Sequence, residues 1–125
     1  MAKKREIKVV HPATIETITG DVGWSVKPMI SRKYAGSDKM WVAWVEFEAN
    51  GKHDWHVHKK HDEALVVVDG EVDFFYKRGV EVIHERLKRG DGAFVPMSLR
   101  HKWENTGQPL TAIVAKAPSP PGAGR

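Results

Sequence analysis

The chain of 125 residues contains no cysteine. That absence excludes disulfides, thiolate zinc sites and a cysteine nucleophile. No apolar run approaches the ~18 residues that a membrane helix needs. The basic start, Met1–Lys8, is followed by no apolar stretch, so it does not read as a secretory signal and a cytoplasmic protein is expected. Charge of one sign is also missing where it would matter. The net charge is +4, yet Lys3, Lys4, Arg5 and Lys8 against Glu6 supply +3 and Arg125 another +1. Residues 9–124 hold 15 basic and 15 acidic groups. A nucleic-acid footprint needs a basic stripe on a face of the folded body. Nucleic acid is therefore not the expected partner, and a membrane is not either. There is no convincing amphipathic helix of ten or more residues, and no internal repeat.

What is present reads as β-structure within one domain. Runs rich in Val, Ile, Phe, Tyr and Trp occur at Thr14–Thr19, Trp24–Ile30, Met40–Ala49, Ala64–Val68, Glu71–Tyr76, Val80–Leu87, Gly92–Val95 and Leu110–Ala115. Turn signals separate them, among them Asn50-Gly51, Asp69-Gly70 and Thr106-Gly107. Many short strands at regular spacing predict an all-β sandwich or barrel over residues 9–116. Residues 1–8 read as a basic, flexible arm that leads into a strand at Ile7–Val10. Residues 117–125, Ala-Pro-Ser-Pro-Pro-Gly-Ala-Gly-Arg, read as a Pro/Gly-rich tail that need not pack.

Histidine is abundant by contrast: seven in all, with His53, His56, His58 and His61 within nine positions. On a strand, residues two apart share a face, so His56 and His58 are predicted to project side by side. Glu63 follows a short turn and opens the next strand, from which its carboxylate reaches the same point. Two imidazoles and a carboxylate make a metal site with open positions, suited to Fe(II) and also to Mn, Ni or Zn. Further on, Gly90 fits a tight turn, Pro96 ends a strand, and His101 heads the next. Trp103 shares the parity of His101. Phe74 and Tyr76 share parity with Val72 on another strand, and all three aromatics are candidates for lining a substrate pocket. His61 and His53 are conceivable substitute ligands, with His61 read as a solvated turn residue. His11 and His84 read as ordinary surface or strand residues, and Asp62 as an outward or supporting group beside Glu63.

These two stretches resemble the paired motifs of the cupin superfamily. Gly51, His56, His58, Glu63 and Gly70 follow the first motif, with a glycine-to-histidine gap one residue shorter than usual. Gly90, Pro96, His101 and Asn105 follow the second, with Ser98 where the family usually has glycine. The resemblance spans roughly residues 40–115. It implies a single-domain cupin: a double-stranded β-helix, or jelly-roll barrel. It also implies that His56, His58, Glu63 and His101 together hold one divalent metal ion, Fe(II) or Mn(II) first, Ni(II) or Zn(II) otherwise.

The function that follows is a metal-dependent enzyme acting on a small organic molecule, foremost an Fe(II) dioxygenase of an enolisable or hydroxylated substrate. A redox-neutral isomerase, lyase or decarboxylase uses the same site, with His61, Glu46, Glu48 or Tyr34 as candidates to move a proton. A non-catalytic small-molecule or sugar-binding module is the reading from another class. A homodimer is expected, because the Trp and Val content exceeds what so small a barrel hides.

Overall fold

The computed structural model describes residues 6–20 and 22–120. Alternation of apolar and polar side chains produces strands along most of the chain. In order they are β1 (Ile18–Thr19), β2 (Trp24–Ile30), β3 (Trp41–Phe47), β4 (Lys52–His56), β5 (Asp62–Asp69), β6 (Val72–Arg78), β7 (Glu81–Leu87), β8 (Gly92–Val95), β9 (His101–Asn105) and β10 (Leu110–Ala117). All pairings are antiparallel. One sheet has six strands in the order β1-β2-β3-β10-β5-β8, and the other has four in the order β4-β9-β6-β7. The chain crosses repeatedly between the sheets, as in a jelly roll. Among the described residues, no helix is long and apolar enough to cross a membrane.

The two inner faces meet in one core. On β3, Trp41, Ala43, Val45 and Phe47 point inward, and Trp44 and Glu46 point out. On β10, Leu110, Ala112 and Val114 are buried, as are Leu65 and Val67 on β5. The four-stranded sheet contributes Val72, Phe74 and Trp103. Phe47 and Trp103 stack across the gap, with ring centroids 5.5 Å apart. Truncating a fully buried residue such as Leu65 to alanine costs about 2–5 kcal/mol.

Several sequence expectations need correction. Ile7–Val10 forms no strand, and Ile7 and Val9 are exposed. Only Ile18–Thr19 of the Thr14–Thr19 run is a strand, because Pro12 opens a 3-10 turn over Pro12–Thr14. A one-turn helix, α1 (Arg32–Ala35), stands between β2 and β3, where composition predicts none. The Ser31 side chain caps it by accepting from the Tyr34 N–H, and Gly36 closes it at φ 69°. The end of the chain packs further than expected. Ala117 still belongs to β10, and Ser119 is buried, with its N–H donating to Asp38 O (3.2 Å) and its carbonyl accepting from Arg32 Nη2 (3.2 Å). The basic cluster Lys3–Arg5 and the last residues, 121–125, lie outside the described residues.

Candidate metal centre

Both sequence motifs end at turns that lock the strands in register. Gly51 is required by close approach: a Cβ there would stand 2.4 Å from the carbonyl oxygen of Gly23. Asn105 N donates to Gly51 O (3.0 Å), and Asn105 Nδ2 donates to Glu48 O (2.8 Å). The asparagine of the second motif thus ties β9 to the turn that opens the first. Ser98 has φ 71°, the one non-glycine residue with positive φ among those described. Its N–H donates to the His58 carbonyl (2.6 Å), so the turn after Pro96 holds the loop that carries His58.

His56, His58, Glu63 and His101 each offer one ligand atom, and these atoms all lie within 4.8 Å of one another. Glu63 is buried on β5 and His101 fully buried on β9. His101 Nε2 is 3.0 Å from Glu63 Oε2. His58 Nε2 lies 3.3 Å from the same oxygen, without hydrogen-bond alignment. The outer ring nitrogens are held by backbone: His56 Nδ1 is 2.7 Å from Asp54 O, and His101 Nδ1 is 3.0 Å from Leu99 O. Each carbonyl favours the proton on Nδ1, the tautomer in which a neutral ring turns its Nε2 lone pair to a metal. His56 Nε2 and His58 Nε2 are buried with no hydrogen-bond partner. A divalent cation fits this cluster of three imidazoles and a carboxylate, and these four residues are the ones that could hold it.

The electrostatics agree. Burial alone would raise the Glu63 carboxyl, but the His101 and His58 imidazoles and the Lys116 charge outweigh it and hold the carboxyl well below the usual range. Burial, with His53 alongside, pushes His56 down to about 3. Glu63 is thus a carboxylate and His56 a neutral imidazole at neutral pH, the forms that bind metal.

His56 and His58 converge for a reason other than shared strand parity. His56 and His58 do not share one strand, because β4 ends at His56. A bulge in β4 between His53 and His56 shifts the parity, so His53 and His56 face the same side and Trp55 turns out. His53 stacks on His56 with ring centroids 3.9 Å apart, and burial pushes it down to about 4. His61 is not a solvated turn residue. It is 8% exposed, its ring lies 4.5 Å from that of His58, and neither ring nitrogen has a partner. Burial pushes it, too, down to about 4. Its shared parity with Glu63, two residues on, was the signal for this placement.

A cavity of about 510 Å³ opens onto the cluster, a size suited to a small-molecule ligand. Trp24, Trp41, Phe47 and Trp103 line it, with His53, His56, His58, His61, Glu63 and Lys116 among its polar groups. Trp103 is therefore where parity put it. Phe74 and Tyr76 instead line a separate cavity of about 600 Å³ beside Phe94 and Leu99, and that cavity touches none of the four ligands. Of the proton-carrying candidates, Glu46 and Glu48 are exposed, and the Tyr34 hydroxyl accepts from Glu16 N (3.1 Å). Only His61 faces the metal cavity. Asp62 accepts from Met97 N (2.9 Å), a supporting role on the loop. His84 pairs with Asp73 (2.6 Å) on the outer sheet face, and His11 is exposed. Lys116 lies beyond the strand Leu110–Ala115 expected from composition, because β10 continues to Ala117 and keeps its alternation.

The family model described as "Cupin domain" matches residues 43–116. No curated protein matches the sequence significantly. Among solved structures, KdgF from Halomonas sp. superposes with TM-score 0.78 at 16% identity, covering 92% of this chain and 96% of that one. An RmlC-like cupin from Shewanella frigidimarina gives TM-score 0.74 at 17% identity, covering 92% and 93%. An oxalate decarboxylase variant from Bacillus subtilis gives 0.78 at 11% identity. There the match covers 93% of this chain but 31% of that one, so this chain spans about a third of that length. At these identities the likeness is one of fold.

Proposed function

Because the chain belongs to the cupin family, we propose that it is a metal-dependent enzyme acting on a small organic molecule, with His56, His58, Glu63 and His101 as the metal ligands. The observation that carries this is the convergence of four buried or half-buried ligand atoms within 4.8 Å at a cavity of about 510 Å³. A bound divalent ion would supply Lewis acidity toward substrate oxygens. The chain's own residues do the rest. The carbonyls of Asp54 and Leu99 fix the tautomers of His56 and His101. Phe47 and Trp103 make a stacked, dry wall beside the site. Within this class we favour an Fe(II) dioxygenase of an enolisable or hydroxylated substrate. Metal analysis, anaerobic Fe(II) loading and O₂ uptake with diketones, catechols and α-hydroxy ketones test it. O₂ consumption linked to substrate loss is expected, and metal binding without any O₂ use removes the dioxygenase reading.

One observation favours a second reading, redox-neutral isomerase, lyase or decarboxylase chemistry on Mn, Ni or Zn. His61 faces the cavity with both ring nitrogens unpartnered, in reach of substrate rather than of the protein. Turnover under argon separates the two.

A further inference from the structure

The cavity carries a set of side chains that the metal ligands do not use. Trp41 on β3, Lys116 on β10 and Glu63 on β5 are register partners, a row across three adjacent strands. The Lys116 ammonium lies 4.6 Å from the centre of the Trp41 ring. Its charge is felt at His53, His61 and Glu63. Trp41 and Trp103 line the same cavity, and each has a buried indole N–H with no hydrogen-bond partner among the described residues. His61 is likewise buried and unpartnered there.

An indole N–H only donates, and an imidazole carries at least one N–H in either charge state. A buried donor left without an acceptor is destabilising. A wall of this kind favours a ligand rich in acceptors, and an amine or other cation would add donors to donors. The charge points the same way. Three imidazoles and one carboxylate around a divalent ion would leave a net positive charge, which draws in an anion.

We propose that Lys116, His61, Trp41 and Trp103 form an anion subsite next to the metal ligands, and that the substrate is a small carboxylate bearing further oxygen acceptors. This deepens the enzyme reading and rests on it for the word substrate. Lys116 and His61 are positioning residues: they would hold the carboxylate so that its neighbouring oxygens face the ion that the four ligands would bind.

The test is calorimetric titration of the full-length, Zn(II)-loaded protein with lactate and mandelate against their neutral amides, with metal content measured on every sample. The acids are expected to bind about tenfold or more tighter than the amides. Lys116→Met is expected to erase most of that preference without loss of zinc, and Lys116→Arg to retain it. Trp41→Phe, which keeps the ring and removes the N–H, is expected to weaken the acids severalfold. Circular dichroism checks folding, and Lys116→Gln replaces the methionine variant if that one does not fold. Equal binding of acid and amide, or a preference unchanged in Lys116→Met, overturns the subsite. A wild-type protein that takes up no metal overturns the enzyme reading instead. The same titrations on that metal-free protein then decide the subsite by whether the acid preference depends on Lys116.

Discussion

Ser98 sits at φ 71°, where a side chain costs about 1–2 kcal/mol relative to glycine. Ser98→Gly relieves that strain but adds freedom to the unfolded chain. The net expectation is a gain of about 0.5 kcal/mol, read as a higher urea midpoint with unchanged slope. The ligands behave differently, because each is held by its neighbours as well as by position. His56→Ala and His101→Ala are expected to weaken metal binding by roughly a hundredfold or more. Metal content after dialysis against a weak chelator reads this out, and full retention in both variants would refute the ligand set. At this scale His56, His58 and Glu63 were legible from spacing, and His101 from the resemblance of the second motif. His61 and Lys116 were not, because both sit just past a strand end as read from composition. There a charged or polar residue looks like turn chemistry until the alternation is carried one step further.

The strands were legible wherever one face is apolar: β2 and β8 have the bounds that their composition predicts, and β3, β6 and β7 shift by a few residues at most. β4 was not, since Lys52–His56 is polar on both faces and bulged. The bulge is what turns His53 toward the ligands, and no residue type announces it. The turns are more dependable. Gly70, between β5 and β6, has φ 85°, and a Cβ there would stand 2.4 Å from the Pro109 carbonyl oxygen. Gly70→Ala therefore meets both backbone strain and a clash with main chain that cannot swing aside. A loss of about 3 kcal/mol is expected in denaturant unfolding. Gly79→Ala is the control, because its φ of 64° brings strain but its Cβ would meet nothing within 4 Å. It is expected to cost about 1 kcal/mol.

The whole molecule stores an acid sensitivity in its metal-free state. His53, His56 and His61 stay neutral in the fold down to about 4, 3 and 4, chiefly because they are buried. In the unfolded chain they take up protons near pH ~6.5. Between those limits the unfolded state binds more protons, so stability falls as pH falls. The depressed Glu63 carboxyl acts in the same direction at lower pH. The urea midpoint of the metal-free protein is expected to be clearly lower near pH ~5 than near pH ~7.5, and equal midpoints would contradict these environments. Assembly is the other property of the whole. Ile7 and Val9 stand exposed beside the barrel, as does Phe94 on the edge strand β8. A homodimer that covers them is expected in light scattering after size exclusion. Finally, the aromatic lining of the cavity makes the protein its own optical probe. Three of the five tryptophans, Trp24, Trp41 and Trp103, line the cavity, and Trp44 and Trp55 face outward. With Trp44→Phe and Trp55→Phe in place, the remaining emission comes from the cavity wall alone. Quenching by a paramagnetic ion, or a spectral shift when a ligand displaces solvent, then reports occupancy of the site with no label attached.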